Sequence, residues 1–132
     1  MNNLETFSIK NKKTIITGAG RGLGFQIANY FQDNGAKVFA FDKFFPKNFT
    51  NKDIKKIKCD FSNESKTIRE IDKILKKNKI NVLINCAAIT IPNVKNINKS
   101  LDNWKQTINI NLNIPYVFCN LIGRDMIKKK IK

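Results

Sequence analysis

The stretch Thr14–Gly24 (Thr-Ile-Ile-Thr-Gly-Ala-Gly-Arg-Gly-Leu-Gly) constrains the fold more than any other part of the chain. A β-branched run stops at a glycine-dense turn, and an amphipathic helical pattern, Phe25 to Asn34, starts directly after it. Strand, glycine turn and helix together aim backbone N–H groups and a helix N-terminus at one point, which suits a phosphate. Glycines are needed there because a Cβ blocks tight turning and close approach of the backbone to a pyrophosphate. The stretch therefore reads as the phosphate cradle of a dinucleotide.

The other segments fit that reading. Lys12–Thr17 is predicted as the first strand and Gly22–Asn34 as a helix, with Leu23, Ile27, Tyr30 and Phe31 on its apolar face. Asn34-Gly35 ends that helix. Ala36–Phe41 is a second strand. Asp42 to Asn51 follows as a loop with Pro46 and exposed phenylalanines. Lys55–Cys59 is a third strand. Ser62-Asn63-Glu64-Ser65 supplies caps for a helix to about Lys77, packing through Ile68, Ile71, Ile74 and Leu75. Ile80–Asn85, apolar on both faces, reads as a central fourth strand. Thr90 to Lys99 is a polar loop, and Ser100 caps a long helical segment reaching toward Lys130. Pro115 falls inside that segment, which predicts a kink near Asn111–Pro115. Residues 1–11 form a polar, loosely packed lead-in, and residues 12–132 form one unit.

Strands alternating with helices imply an α/β fold, a Rossmann-type parallel sheet of expected order 3-2-1-4 with its crevice at the strand C-terminal ends. Thr17-Gly18, Asp42, Asp60 and Asn85-Cys86-Ala87-Ala88 all lie at such ends. Asp42 follows Gly24 by 18 residues. A carboxylate there accepts hydrogen bonds from adenosine ribose hydroxyls and repels a 2′-phosphate, favouring NAD over NADP.

Composition narrows the partners. A chain of 132 residues, 42% hydrophobic, suits one globular domain. The net charge of +15 raises nucleic acid or an acidic membrane surface. Its arginines are only Arg21, Arg69 and Arg124, and the lysines run along the whole chain beside abundant asparagine and isoleucine. That pattern follows from drift toward AT-rich codons, so neither partner is expected. No apolar run is long enough to span a bilayer, Met1 to Ser8 lacks a secretory pattern, and a cytoplasmic location follows by default. Cys59, Cys86 and Cys119 are widely spaced, and with no histidine a metal site is not expected.

Thr17-Gly18-Ala19-Gly20-Arg21-Gly22-Leu23-Gly24 resembles the Thr-Gly-x-x-x-Gly-x-Gly motif of the short-chain dehydrogenase/reductase family. Cys59-Asp60-Phe61 is similar to that family's adenine-side Asp after the third strand. Val82-Leu83-Ile84-Asn85-Cys86-Ala87-Ala88 resembles its Asn-Asn-Ala-Gly motif, with Cys86 and Ala88 as departures. Trp104 and Asn109-Ile110-Asn111-Leu112 resemble the long helix that carries its active-site asparagine.

The resemblance implies an oxidoreductase moving hydride between NAD, or possibly NADP, and a small carbonyl or alcohol substrate. It implies that Gly18 turns the chain, Gly22 admits the pyrophosphate, Gly24 packs the helix on the sheet and the Leu23 N–H faces phosphate. Asp60 and the Phe61 backbone meet adenine, Asn85 braces the sheet, and Ala87 with Ala88 walls the ribose. Asn111 is the implied catalytic residue, its helix irregularity holding a water in a proton relay. Arg21 argues for NADP against Asp42.

The family's catalytic serine and Tyr-x-x-x-Lys have no counterpart: Tyr30 is followed four residues on by Asn34, and Tyr116 by Asn120. The chain therefore resembles the cofactor-binding half of an enzyme. An uncovered fourth strand and an exposed Val117, Phe118, Leu121 and Ile122 are expected, and with them self-association or a partner chain. The alternatives are a nucleotide-binding module without chemistry and, third, a basic nucleic-acid binder.

Overall fold

The computed structural model describes residues 8–92 and 95–131. In chain order the elements are β1 (Lys13–Thr17), α1 (Gly22–Asp33), β2 (Lys37–Asp42), β3 (Lys55–Lys58), α2 (Glu64–Leu75), β4 (Val82–Asn85), α3 (Ile97–Ile108), a π-helical turn (Asn109–Asn113) and α4 (Ile114–Lys128). The four strands form a parallel sheet in the order β3-β2-β1-β4, as the strand–helix alternation predicts.

The sheet separates two cores because successive side chains point to opposite faces. Ile15, Phe39, Phe41 and Ile57 point toward α2 and α4 and meet Ile71, Phe118 and Ile122. Ile16, Val38 and Ala40 point toward α1 and meet Ala28, Phe49 and Ile54. The first face is bulky and the second small, so α1 lies close to the sheet through Gly24 and Ala28. This corrects the predicted apolar face of α1. Leu23 and Tyr30 point to solvent, and Ile27 and Phe31 are only partly buried. A close helix–sheet contact selects small residues, which a search for large apolar ones overlooks.

Three further expectations change. β4 is an edge strand among the described residues, pairing only with β1. It is apolar on both faces because Leu83 packs against one core and Ile84 against the other, not because strands flank it. Phe118 and Ile122 of α4 are fully buried, and Val117 and Leu121 pack beside them, so the expected exposed stripe faces the sheet instead. Phe118 meets Phe41 and Phe61 edge to face, with ring centroids 5.2 and 5.7 Å apart. In the loop after β2, Phe44 is exposed as expected, whereas Phe49 is buried against Phe25 and Phe45.

The caps are also specific. Asn63 Oδ1 accepts the Lys66 N–H at the start of α2. Asn96, not Ser100, caps α3 by accepting the Lys99 N–H, and Ser100 sits inside the helix. The predicted irregularity at Asn111–Pro115 is the π turn Asn109–Asn113, with Pro115 in the first turn of α4. Proline lacks the N–H that would bond the carbonyl four residues back, and the wider turn accommodates that loss without ending the helix. Of the lead-in, residues 1–7 lie outside the described residues. Ile9 packs against the α1-side core, and the Asn11 N–H donates to Gly35 C=O at 2.8 Å, so the part next to β1 is tied down.

Candidate functional site

A cleft of about 310 Å³ opens at the C-terminal ends of the strands. Its floor is the turn from β1 into α1, which contributes Gly18, Arg21, Gly22, Leu23 and Gly24. Gly18 (φ +67°) reverses the chain, and its Cα lies so near the Ala87 backbone that a Cβ would sit 2.7 Å from it. A Cβ on Gly24 would lie 2.2 Å from Gly18 O, so this glycine sets how closely α1 approaches. Gly22 (φ +56°) differs from both, because a Cβ there would meet nothing within 4 Å. The space above it is open cleft.

The helix start is equally open. The Phe25 N–H bonds back to Arg21 C=O at 3.3 Å, so the N–H groups of Gly22, Leu23 and Gly24 have no intrahelical acceptor. Arg21 is the N-cap residue and gives no side-chain cap. Uncapped N–H groups at a positive helix end, beside a position where only hydrogen leaves room, fit a phosphate.

Asp42 and Asp60 stand at the next two strand ends, and both line the cleft. Asp42 Oδ2 accepts the Gly20 N–H at 2.9 Å and Oδ1 accepts the Phe44 N–H at 3.2 Å, so the carboxylate also holds the glycine turn. Asp60 Oδ1 accepts both the N–H and the hydroxyl of Ser62, at 3.0 and 2.8 Å. Those two bonds, backbone first, hold its carboxyl below the usual carboxylate range, and Lys43 and Lys66 add to the effect. Phe61, Ala87 and Ala88 complete the expected lining.

Three predicted residues do not line the cleft. Thr17 is buried behind it, and its Oγ1 accepts the N–H groups of Cys86 and Ala87, both at 3.1 Å. Asn85 Nδ2 donates to Cys119 Sγ at 3.4 Å, bracing β4 to α4 rather than to the sheet. Asn111 spends its side-chain amide on the Ile89 backbone, accepting from its N–H and donating to its C=O, each at 2.9 Å.

Other lining residues carry no expected role of their own in the cleft. Lys43 was legible in principle as the neighbour of Asp42. Cys59 belongs to the wall beneath Asp60; burial pushes its thiol pKa up, against the 3.4 Å contact with Thr67 Oγ1. Gln106 and Ile110 reach the cleft from α3 and the π turn, and only the tertiary fold brings them there.

The model of the short chain dehydrogenase family matches residues 12–131. The chain is 31% identical over 132 residues to the 3-oxoacyl-acyl-carrier-protein reductase of Chlamydia pneumoniae, covering 93% of this chain and 53% of that protein. The solved structure of 4-hydroxyisoleucine dehydrogenase complexed with NADH superposes with TM-score 0.80 at 28% identity, covering 92% of this chain and 52% of that one. ElxO with NADP bound superposes with TM-score 0.78 at 25% identity, again over 92% and 52%. The chain spans about half the length of the curated relatives it matches. The family model spans nearly the whole described chain, and the chain belongs to the short-chain dehydrogenase family.

Proposed function

We propose that this chain supplies the coenzyme-binding part of an NAD(P)-dependent oxidoreductase acting on a small carbonyl or alcohol. One observation carries the reading: the uncapped start of α1, the open space over Gly22 and two strand-end carboxylates share a single cleft. Bound there, the nicotinamide coenzyme supplies the carbon that gives or takes hydride. The chain's own groups hold and orient it. The N–H groups of Gly22 and Leu23 receive the pyrophosphate, and Asp42, which lines the cleft, receives a ribose hydroxyl on the lone pairs its bonds to Gly20 and Phe44 leave over. Asp60 has Oδ2 without a hydrogen-bond partner among the described residues, which with Phe61 suits an adenine edge. Ala87 and Ala88 form a low wall that leaves the ribose room. Asn111 acts as a positioning residue, fixing Ile89 in the cleft wall and the π turn behind it.

Asp42 argues for NAD, and Arg21 with Lys43 argues for NADP. Titration calorimetry with both coenzymes tests the reading. Binding of at least one, weakened by Gly22→Ala, is expected, and no heat with either coenzyme on folded protein overturns it.

A second reading is a binding module without chemistry. Tyr30 and Tyr116 are exposed and neither lines the cleft, so no tyrosine of this chain is placed to exchange a proton with a bound substrate. Coenzyme binding without turnover supports it. A covering partner or second copy fits the exposed Leu101, Trp104, Leu112 and Tyr116 along α3, the π turn and α4, and size-exclusion chromatography checks this. Among the described residues no helix is long and apolar enough to cross a membrane, and a cytoplasmic setting is part of the proposal.

A further inference from the structure

Residues 18–21, between β1 and α1, are held from outside. No hydrogen bond joins them to one another among the described residues. The Ala19 N–H donates to Phe41 C=O at 3.2 Å, and the Gly20 N–H donates to Asp42 Oδ2 at 2.9 Å. Both acceptors belong to the end of β2. A Cβ on Gly20 would collide with the Phe44 carbonyl oxygen and lie 2.9 Å from Asp42 Cγ, so the turn rests directly on the exit of β2.

Asp42 is itself anchored. Its backbone stands opposite Lys58 in the parallel register of β2 and β3, and its C=O accepts the Cys59 N–H at 2.9 Å. Its second carboxylate oxygen accepts the Phe44 N–H at 3.2 Å, which fixes the plane of the carboxylate. The turn is thus fastened to a side chain that is fixed at both ends. Gly20 stands two residues before Gly22 and three before Leu23, whose N–H groups have no intrahelical acceptor. The orientation of the peptide at Gly20 therefore governs where those two N–H groups point. Charge alone argues the other way, since a carboxylate beside an anion site repels its ligand.

We propose that Asp42 is a positioning residue for the pyrophosphate, acting through Gly20. Its carboxylate clasps the turn so that the N–H groups of Gly22 and Leu23 stay aimed into the cleft before any ligand arrives, and the ligand does not have to order them. This deepens the coenzyme reading and rests on it. The role is separate from contact with a ribose, because the clasp is made between the carboxylate and the turn with no ligand between them. It sets two effects of one residue against each other: the charge of Asp42 weakens anion binding, and its hydrogen bond to the turn strengthens it. The clasp outweighs the charge, because the carboxylate spends both oxygens on backbone N–H groups that partly neutralise it.

The test uses a ligand that has no ribose. Inorganic pyrophosphate is titrated into the full chain at low ionic strength, and binding is followed by the NMR amide shifts of Gly22 and Leu23, which exclude pyrophosphate held by surface lysines elsewhere. Wild type is compared with Asp42→Ala and with Asp42→Asn, which keeps the shape and one acceptor should the alanine variant fail to fold. Lys129→Met serves as the control for general loss of stability, since Lys129 bonds the carbonyls of Leu75 and Asn78 beside Lys13, at the opposite end of the sheet. Both Asp42 variants should bind pyrophosphate at least about fivefold more weakly than wild type although each has lost a negative charge, and Lys129→Met should bind as wild type does. Unchanged or tighter binding by either folded Asp42 variant overturns the positioning role, and so does equal weakening by Lys129→Met. NAD and NADP are titrated in parallel. If either binds wild type while pyrophosphate leaves both amides unmoved, the positioning role falls and the coenzyme reading stands. If none of the three binds, the coenzyme reading falls and the positioning role with it.

Discussion

Asn111 holds Ile89 by both ends of its amide, the Oδ1 accepting from the Ile89 N–H and the Nδ2 donating to the Ile89 carbonyl, each at 2.9 Å. The pair ties the π turn to the segment that leaves β4, and Ile89 lines the cleft. Asn111→Ala removes both bonds and should cost about 1–2 kcal/mol. Asn111→Asp keeps the acceptor but sets a carboxylate oxygen against a carbonyl oxygen, so it should be the more damaging of the two at neutral pH. Thermal melts rank the variants, and coenzyme affinity should fall with both because the wall at Ile89 loosens. Unchanged melting of the Asp variant would mean the clasp carries no weight.

Two threonines of β1 make the same substitution run in opposite directions. Thr17 Oγ1 accepts two backbone N–H groups, whereas Thr14 Oγ1 is buried with no partner. Thr17→Val leaves two donors without an acceptor and should destabilise by about 2–4 kcal/mol, with Thr17→Ser restoring most of it. Thr14→Val replaces an unpaired hydroxyl by a methyl and should stabilise by up to about 1 kcal/mol. Denaturant unfolding of the two variants checks the signs.

What could be read from the sequence was local. The glycine turn follows from residues a few positions apart, the strand-end acids from where each predicted strand stops, and the sheet order from the alternation of strands and helices. The buried side of α1 was not legible because Gly24 and Ala28 carry it through their smallness, while Leu23 and Tyr30 drew attention by their size. Asn111 was recognisable as important, but its partner Ile89 lies 22 residues away in sequence. Gln106 and Ile110 had no signal, since only the packing of α3 and the π turn across the strand ends places them in the cleft.

Gly22 and Gly24 separate a functional glycine from a packing one. Gly24→Ala puts a methyl 2.2 Å from Gly18 O and must push α1 off the sheet, so the melting temperature should fall sharply. Gly22→Ala meets open space and carries only the strain of φ +56°, about 1–2 kcal/mol. Its methyl enters the space left for the phosphate, so coenzyme affinity should drop at least about tenfold in a folded protein. Calorimetry beside a melt resolves the two, and a Gly22→Ala protein that binds normally would remove the phosphate from that position.

The Asp60 carboxyl, held low by the Ser62 N–H and hydroxyl, should titrate below its ordinary value of 3.8. A depressed folded pKa means the bonds to Ser62 contribute above the unfolded value and are lost as pH falls through the folded one. Ser62→Ala removes the hydroxyl but keeps the N–H, so the Asp60 pKa should rise part of the way back. Carboxyl carbon shifts followed by NMR between about pH 2 and 6 report this directly.

Lys129 joins α4 to the end of α2. Its Nζ donates to the carbonyls of Leu75 and Asn78 (3.0 Å for Asn78) and lies 2.8 Å from Asp125 Oδ2. Leu75 ends α2, so its carbonyl is one that no intrahelical N–H satisfies, and an ammonium at a helix C-terminus also opposes the negative end of the dipole. Lys129→Met keeps the aliphatic stem but strips the donors, and Asp125 Oδ2 is left buried without a counter-charge. The expected loss is about 1–3 kcal/mol, with faster amide hydrogen exchange in the last turn of α2. Lys129→Arg can still donate to both carbonyls and should recover part of the stability. Exchange in α2 that is indifferent to Lys129→Met would show that the two helices are held by Ile71, Ile74 and Ile122 alone.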